Sequence, residues 1–117
     1  MYEYKIKEIV KVVDGDTVDV VIDLGFHTCV KKRIRLYGIN TPETRTRDKA
    51  EKIKGFQAKK KLCDLCNAAV GNSASPLILK SYGLGKYGRV LGELISDQVN
   101  FNKLLVAEGY AEEYYGK

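Results

Sequence analysis

Asp16-Thr17-Val18-Asp19-Val20-Val21-Ile22-Asp23-Leu24 alternates with a period of two: Val18, Val20, Ile22 and Leu24 share one face, and Asp19 and Asp23 share the other. Residues two apart point the same way when the backbone is extended, so this stretch predicts a β-strand with one buried face. Val13-Asp14-Gly15-Asp16, just before it, carries turn chemistry. Upstream, Tyr4, Ile6, Val10 and Val12 predict the inward side of an earlier strand, with Glu8 interrupting the pattern. Downstream, residues 28–37 predict a third strand, with Val30, Ile34 and Leu36 inward and Arg33 and Arg35 outward. Lys32 falls on the inward face, which a β-bulge would accommodate.

Past Thr41-Pro42-Glu43 the period changes. Ala58, Leu62, Leu65 and Ala69 recur at helical spacing, which predicts a helix over 48–70 with Gly71 as its terminator. Strands are predicted over 77–80 and 89–95, separated by Tyr82-Gly83-Leu84-Gly85-Lys86-Tyr87-Gly88, and a last helix over 100–108 stops at Gly109. No repeat, low-complexity tract or linker divides the sequence, so one domain over 1–117 is expected. The order β-β-β-α-β-β-α predicts an α+β chain, mainly β. Its expected form is a five-stranded OB-type barrel with a helix inserted between strands 3 and 4 and a C-terminal helix.

With 117 residues, 44% of them hydrophobic, the chain can bury a core without staples. Cys29, Cys63 and Cys66 are an odd number at no framework spacing and read as free thiols. Cys63 and Cys66 fall on the apolar face of the long helix, as small hydrophobes rather than zinc ligands. His27 reads as a surface residue in the turn between strands two and three. No run approaches the ~18 apolar residues of a membrane span. The start, Met1-Tyr2-Glu3-Tyr4-Lys5, lacks the apolar region of a signal peptide. A cytoplasmic, monomeric chain off the membrane is expected, with secretion of a longer precursor left open. The net charge is +5, and residues 45–61 hold eight basic residues against only Asp48 and Glu51. Such a run favours polyanions, nucleic acid foremost, or is a solvated helix face.

Three polar clusters fall at turns or strand ends. Two carboxylates in Asp14-Gly15-Asp16-Thr17 repel each other unless a cation or donors neutralise them, which points to a hard-metal site or to a plain Asp-Gly hairpin. Arg35-Leu36-Tyr37-Gly38-Ile39-Asn40-Thr41-Pro42-Glu43 gathers an arginine, an amide and a carboxylate around one turn. Lys86-Tyr87-Gly88-Arg89 is a flexible approach ending in an arginine.

Together, in this order and spacing, the three clusters resemble the staphylococcal-nuclease family. The resemblance implies a metal-dependent nuclease, a phosphodiesterase with little sequence specificity acting on DNA or RNA with one calcium ion. It makes Asp16 and Asn40 metal ligands through their side chains, Thr41 one through its backbone carbonyl, and Asp14 an acid behind the metal. It makes Glu43 the general base and Arg35 and Arg89 the arginines that hold the phosphate. Lys86 and Tyr87 would line the nucleotide pocket, and Tyr114 or Tyr115 would lie beside the bound nucleotide. Arginine suits its role because its fork pairs bidentately with phosphate and stays charged. Asn40 departs from the pattern: the best-known member has an aspartate there, so the metal site loses a charge and its affinity falls. An aspartate restored at 40 is expected to repel Asp16 in the metal-free chain. The alternative function is a nucleic-acid-binding barrel with weak catalysis.

Overall fold

The computed structural model describes residues 2–70 and 74–115. β1 (Tyr2–Asp14), β2 (Thr17–Asp23) and β3 (Cys29–Leu36) form an antiparallel meander. The two-residue β4 (Ile39–Asn40), helix α1 (Lys49–Val70), β5 (Ile78–Leu84) and β6 (Val90–Ser96) follow. The described chain finishes with β7 (Val99–Asn100), α2 (Phe101–Ala107) and β8 (Glu112–Glu113). Strands lie in the order β3-β2-β1-β5-β6, and parallel pairing of Ile34, Arg35 and Leu36 with Val90, Leu91 and Gly92 closes them into a barrel. This is the architecture the element order predicts. β4 and β8 add a small separate sheet, Ile39 opposite Glu113 and Asn40 opposite Glu112, which two-residue strands leave no periodicity to reveal.

Within the β1-β2-β3 meander the bulges lie in β1 rather than β3. Ile6, Ile9 and Val12 stand opposite Ile22, Val20 and Val18, so β1 spends three residues where β2 spends two. Each extra residue shifts the inward set and coils the strand. Val10, expected inward, is therefore exposed, and Ile9 packs on the core in its place. At Lys32 no bulge exists: the β2–β3 register runs unbroken from Thr17–Arg35 to Asp23–Cys29. β3 meets β6 only from Ile34 onward, so the inward position at 32 lies outside the closed part and opens to solvent. Leu24 is also exposed, because β2 ends at Asp23 and the chain turns through Gly25, Phe26 and His27 at positive φ.

Val18, Val20, Ile34, Leu36, Leu79 and Leu94 fill the barrel, covered by Leu62, Cys66 and Ala69 of α1 and by Phe101 and Leu105 of α2. Each large aliphatic side chain removed from water contributes ~1.5–3 kcal/mol. Cys66, rather than Leu65, takes the fully buried place on the helix face. Burial pushes its thiol up to about 12, with Cys63 adding to the effect, so it behaves as a hydrophobe. Asn102 is buried as well. Its amide nitrogen donates to the carbonyls of Tyr37 (2.8 Å) and Gly92 (3.1 Å), and its oxygen accepts from the Leu94 N–H (3.3 Å), bracing α2 against β6 and the end of β3. Among the described residues no helix is long and apolar enough to cross a membrane.

Candidate active site

Sheet register gathers the three clusters. Thr17 pairs with Arg35, and Arg35 pairs with Leu91, two residues beyond Arg89. The result is a cleft of about 190 Å³ lined by Asp14, Asp16, Thr17, Arg35, Asn40, Thr41, Pro42, Glu43 and Arg89.

Asp16 is buried and heavily engaged. Its Oδ1 accepts from the Thr17 hydroxyl (2.9 Å), and its Oδ2 accepts from the Thr41 backbone N–H (3.0 Å) and lies 3.5 Å from Arg35 Nη2. Asp14 accepts from the Thr44 hydroxyl at 2.7 Å, which ties the turn to the loop after β4. Gly15, between the two acids, is demanded by packing rather than by a left-handed turn. A Cβ there would stand 2.6 Å from the Ala58 Cβ and 3.0 Å from Thr41 Cγ2.

Both arginines are steadied by their own segments. Arg35 Nη1 donates to the Leu36 carbonyl (2.9 Å), and Arg89 Nε donates to the Lys86 carbonyl (3.3 Å). Arg35 Nη2 also donates to Asn40 Oδ1 at 3.3 Å. One guanidinium thus serves both Asp16 and Asn40. The repulsion expected between a carboxylate at 40 and Asp16 is intercepted by a positive charge. Glu43 is exposed at the mouth of the cleft, and its backbone N–H donates to Glu51 Oε2 at 3.2 Å.

Whether these residues suit a divalent cation is answered by their chemistry. The donors are oxygens: the Asp16 carboxylate, the Asn40 amide and the Thr41 carbonyl, and the Thr41 hydroxyl beside that carbonyl is buried without a hydrogen-bond partner. Oxygen donors match a hard ion. Among the described residues no three acidic, histidine or cysteine side chains converge. The set therefore fits a hard divalent cation held with little protein charge.

A second cavity, of about 480 Å³, shares Arg35, Asn40 and Arg89 with the first and adds Lys86, Leu91, Tyr114 and Tyr115. Both C-terminal tyrosines line it. The β4–β8 pairing and the Tyr114 N–H bond to the Gly38 carbonyl (2.8 Å) hold them there. Tyr87 does not line it. With φ at 62° inside a single 3₁₀ turn, it points outward and is 93% exposed. The basic run of 45–61 is also dispersed: Lys60 pairs with Asp64 (3.1 Å) and Lys61 with Glu108 (3.2 Å), while Lys54 lies in a groove beside Glu43.

Sequence reading misses Thr44, Glu51 and Asn102 as supports of the site. Their partners are 30, 8 and up to 65 residues away, so no local pattern marks them.

A family model described as staphylococcal nuclease homologue matches residues 33–117, a span that holds Arg35, Glu43, Arg89 and both C-terminal tyrosines. No significant match is found among curated proteins. With the closed barrel and the inserted helix, that match establishes that the chain belongs to the staphylococcal nuclease family.

Proposed function

We propose that this protein is a metal-dependent nuclease that hydrolyses phosphodiester bonds of DNA or RNA with little sequence specificity. The observation that carries this reading is the shared cleft, in which Arg35, Arg89 and Glu43 face one volume. Two fixed guanidinium groups suit a phosphate. A carboxylate beside them repels that phosphate and has a use only if it removes a proton.

In this reading the phosphodiester enters between Arg35 and Arg89, whose forks take over its hydration and neutralise it. Glu43 accepts the proton of a water as its oxygen bonds to phosphorus. The ester P–O bond breaks on the opposite side, and the leaving oxygen takes a proton from solvent. Calcium, held by Asp16, Asn40 and Thr41, would supply further charge neutralisation to the same phosphate. Lys86 attracts the chain through the second cavity, and Tyr114 and Tyr115 offer faces on which any base can stack, in line with little sequence preference.

A second reading, a binding module with weak catalysis, is favoured by the engagement of both Asp16 oxygens and by the neutral Asn40. Plasmid DNA and a labelled RNA, incubated with calcium, magnesium or chelator, separate the two. The nuclease reading expects cleavage that chelator stops, and a loss of about 10²–10⁴-fold in Glu43→Gln with binding retained. Retained binding without cleavage in either metal would establish the module instead.

A further inference from the structure

Glu43 is an exposed residue in the irregular loop between β4 and α1, yet a general base must be held to within about 0.5 Å to work. Resting on the nuclease reading, we propose that helix α1 is the device that positions Glu43, with Glu51 as a latch and Gly55 as a seat.

The latch is the bond from the Glu43 backbone N–H to Glu51 Oε2, 3.2 Å long. The seat lies one helical turn further on. A Cβ on Gly55 would stand 2.6 Å from the Glu43 carbonyl oxygen, 2.7 Å from its carbon and 2.9 Å from the Pro42 oxygen. These are backbone atoms, so no rotamer change can make room. Glycine inside a helix costs about 1 kcal/mol relative to alanine, and the residue lies in the interior of α1. Close approach of the loop is what this glycine permits.

Residues 51, 55 and 58 share one helix face. The third, Ala58, is the residue against which Gly15 packs, next to Asp16. The Thr44 hydroxyl bond to Asp14 joins the loop to that turn from another side. One helical stripe therefore fixes the general-base loop and the acidic turn relative to each other. Glu51, Gly55 and Ala58 act as positioning residues, through Glu43 and Asp16, and are given no contact with substrate.

Steady-state kinetics and amide exchange on five chains test this: the parent, Gly55→Ala, Glu51→Ala, Glu51→Gln and, as a destabilised control, Leu105→Ala in the core of α2. Misplacing a catalytic group by 1 Å costs up to about 10²-fold. Gly55→Ala is accordingly expected to lose at least about tenfold in kcat with KM within about threefold. Glu51→Ala should lose kcat in the same way and speed exchange of the Glu43 amide at least about tenfold. Glu51→Gln keeps an acceptor oxygen and should restore both. Leu105→Ala should melt earlier with kcat and Glu43 exchange unchanged at 25 °C. If Gln behaves like Ala at 51, the carboxylate acts by charge and the latch is refuted. Unchanged kcat in Gly55→Ala refutes the seat. Should Gly55→Ala fail to fold, the Glu51 pair still decides. An inactive parent would sink the nuclease reading alone, and the exchange comparison would then decide whether α1 holds the loop.

Discussion

Replacing Asn40 with aspartate probes the centre of the site, because Arg35 Nη2 lies 3.3 Å from Asn40 Oδ1 and 3.5 Å from Asp16 Oδ2. From sequence alone, two acids around one metal position should repel each other in the metal-free protein. With Arg35 placed against both, a carboxylate at 40 acts first on the guanidinium. The guanidinium lies within 3.5 Å of both oxygens, and attraction at that separation offsets the repulsion between two carboxylates sharing it. Position 40 is exposed, so the gain is that of a surface pair, about 0.2–1 kcal/mol. For a chain of this size that is a rise of a few degrees in the metal-free melting temperature. It should shrink in high salt. Calcium should then raise the melting temperature of the variant more than that of the parent, since site affinity grows with ligand charge. Differential scanning calorimetry with chelator, and again with calcium, reads both effects. A metal-free melting temperature that falls by more than about 2 °C would refute the reasoning, since it would mean the carboxylates act on each other with Arg35 elsewhere.

Three further outcomes are expected. Asn102→Ala removes three hydrogen bonds in the core at ~1 kcal/mol each, so urea unfolding should show a loss of roughly 3 kcal/mol; a loss below ~1 kcal/mol would mean the brace carries little. Arg33 grips Asp19 through both oxygens (2.7 and 3.0 Å), and that bond holds the Asp19 carboxyl below its ordinary 3.8 against the opposing effect of burial. A lowered folded value contributes stability above the unfolded value, lost as pH falls through the folded one. The deficit of Asp19→Asn, about 0.5–1 kcal/mol at pH 7, should therefore shrink as pH falls below 3.8 and disappear below the lower folded value in melts across the acid range. Finally, Lys86→Gln should flatten the salt dependence of DNA binding by a slope of about 0.9, whereas Lys60→Gln and Lys61→Gln, already paired with Asp64 and Glu108, should not; the reverse pattern would move the substrate path onto α1.

What was legible in the sequence was what is local. Val18, Val20 and Ile22 announce β2 because a strand repeats every two residues, and α1 announces itself through Ala58, Leu62 and Ala69. The clusters at Asp14–Asp16, Arg35–Glu43 and Lys86–Arg89 are readable because each keeps its polar residues within one short stretch, and the register of β2, β3 and β6 brings them together. β1 misled because its bulges convert a period of two into a period of three, which looks like noise around Glu8 and Val10. Lys32 misled because alternation tells which face a residue points to, whereas the extent of the barrel decides whether that face is covered.

The glycines show the same division most sharply. Gly15 reads as turn chemistry in Asp14-Gly15-Asp16, and helix propensity taken by itself makes a glycine at 55 only a cost. Neither local reading gives the cause. Gly15 is required by Ala58 and Thr41, and Gly55 by the backbone of Pro42 and Glu43, in both cases across the gap between the barrel and α1. A residue type chosen for a neighbour far along the chain leaves no period, cap or motif around it. Its signature is a small residue where local propensity asks for a larger one. In this chain one such position, Gly55, lies in helix α1 and the other, Gly15, packs against it, and both border segments that carry the acids of the cleft. Helix α1 is thus part of how the site is built, even though none of its residues lines the cleft.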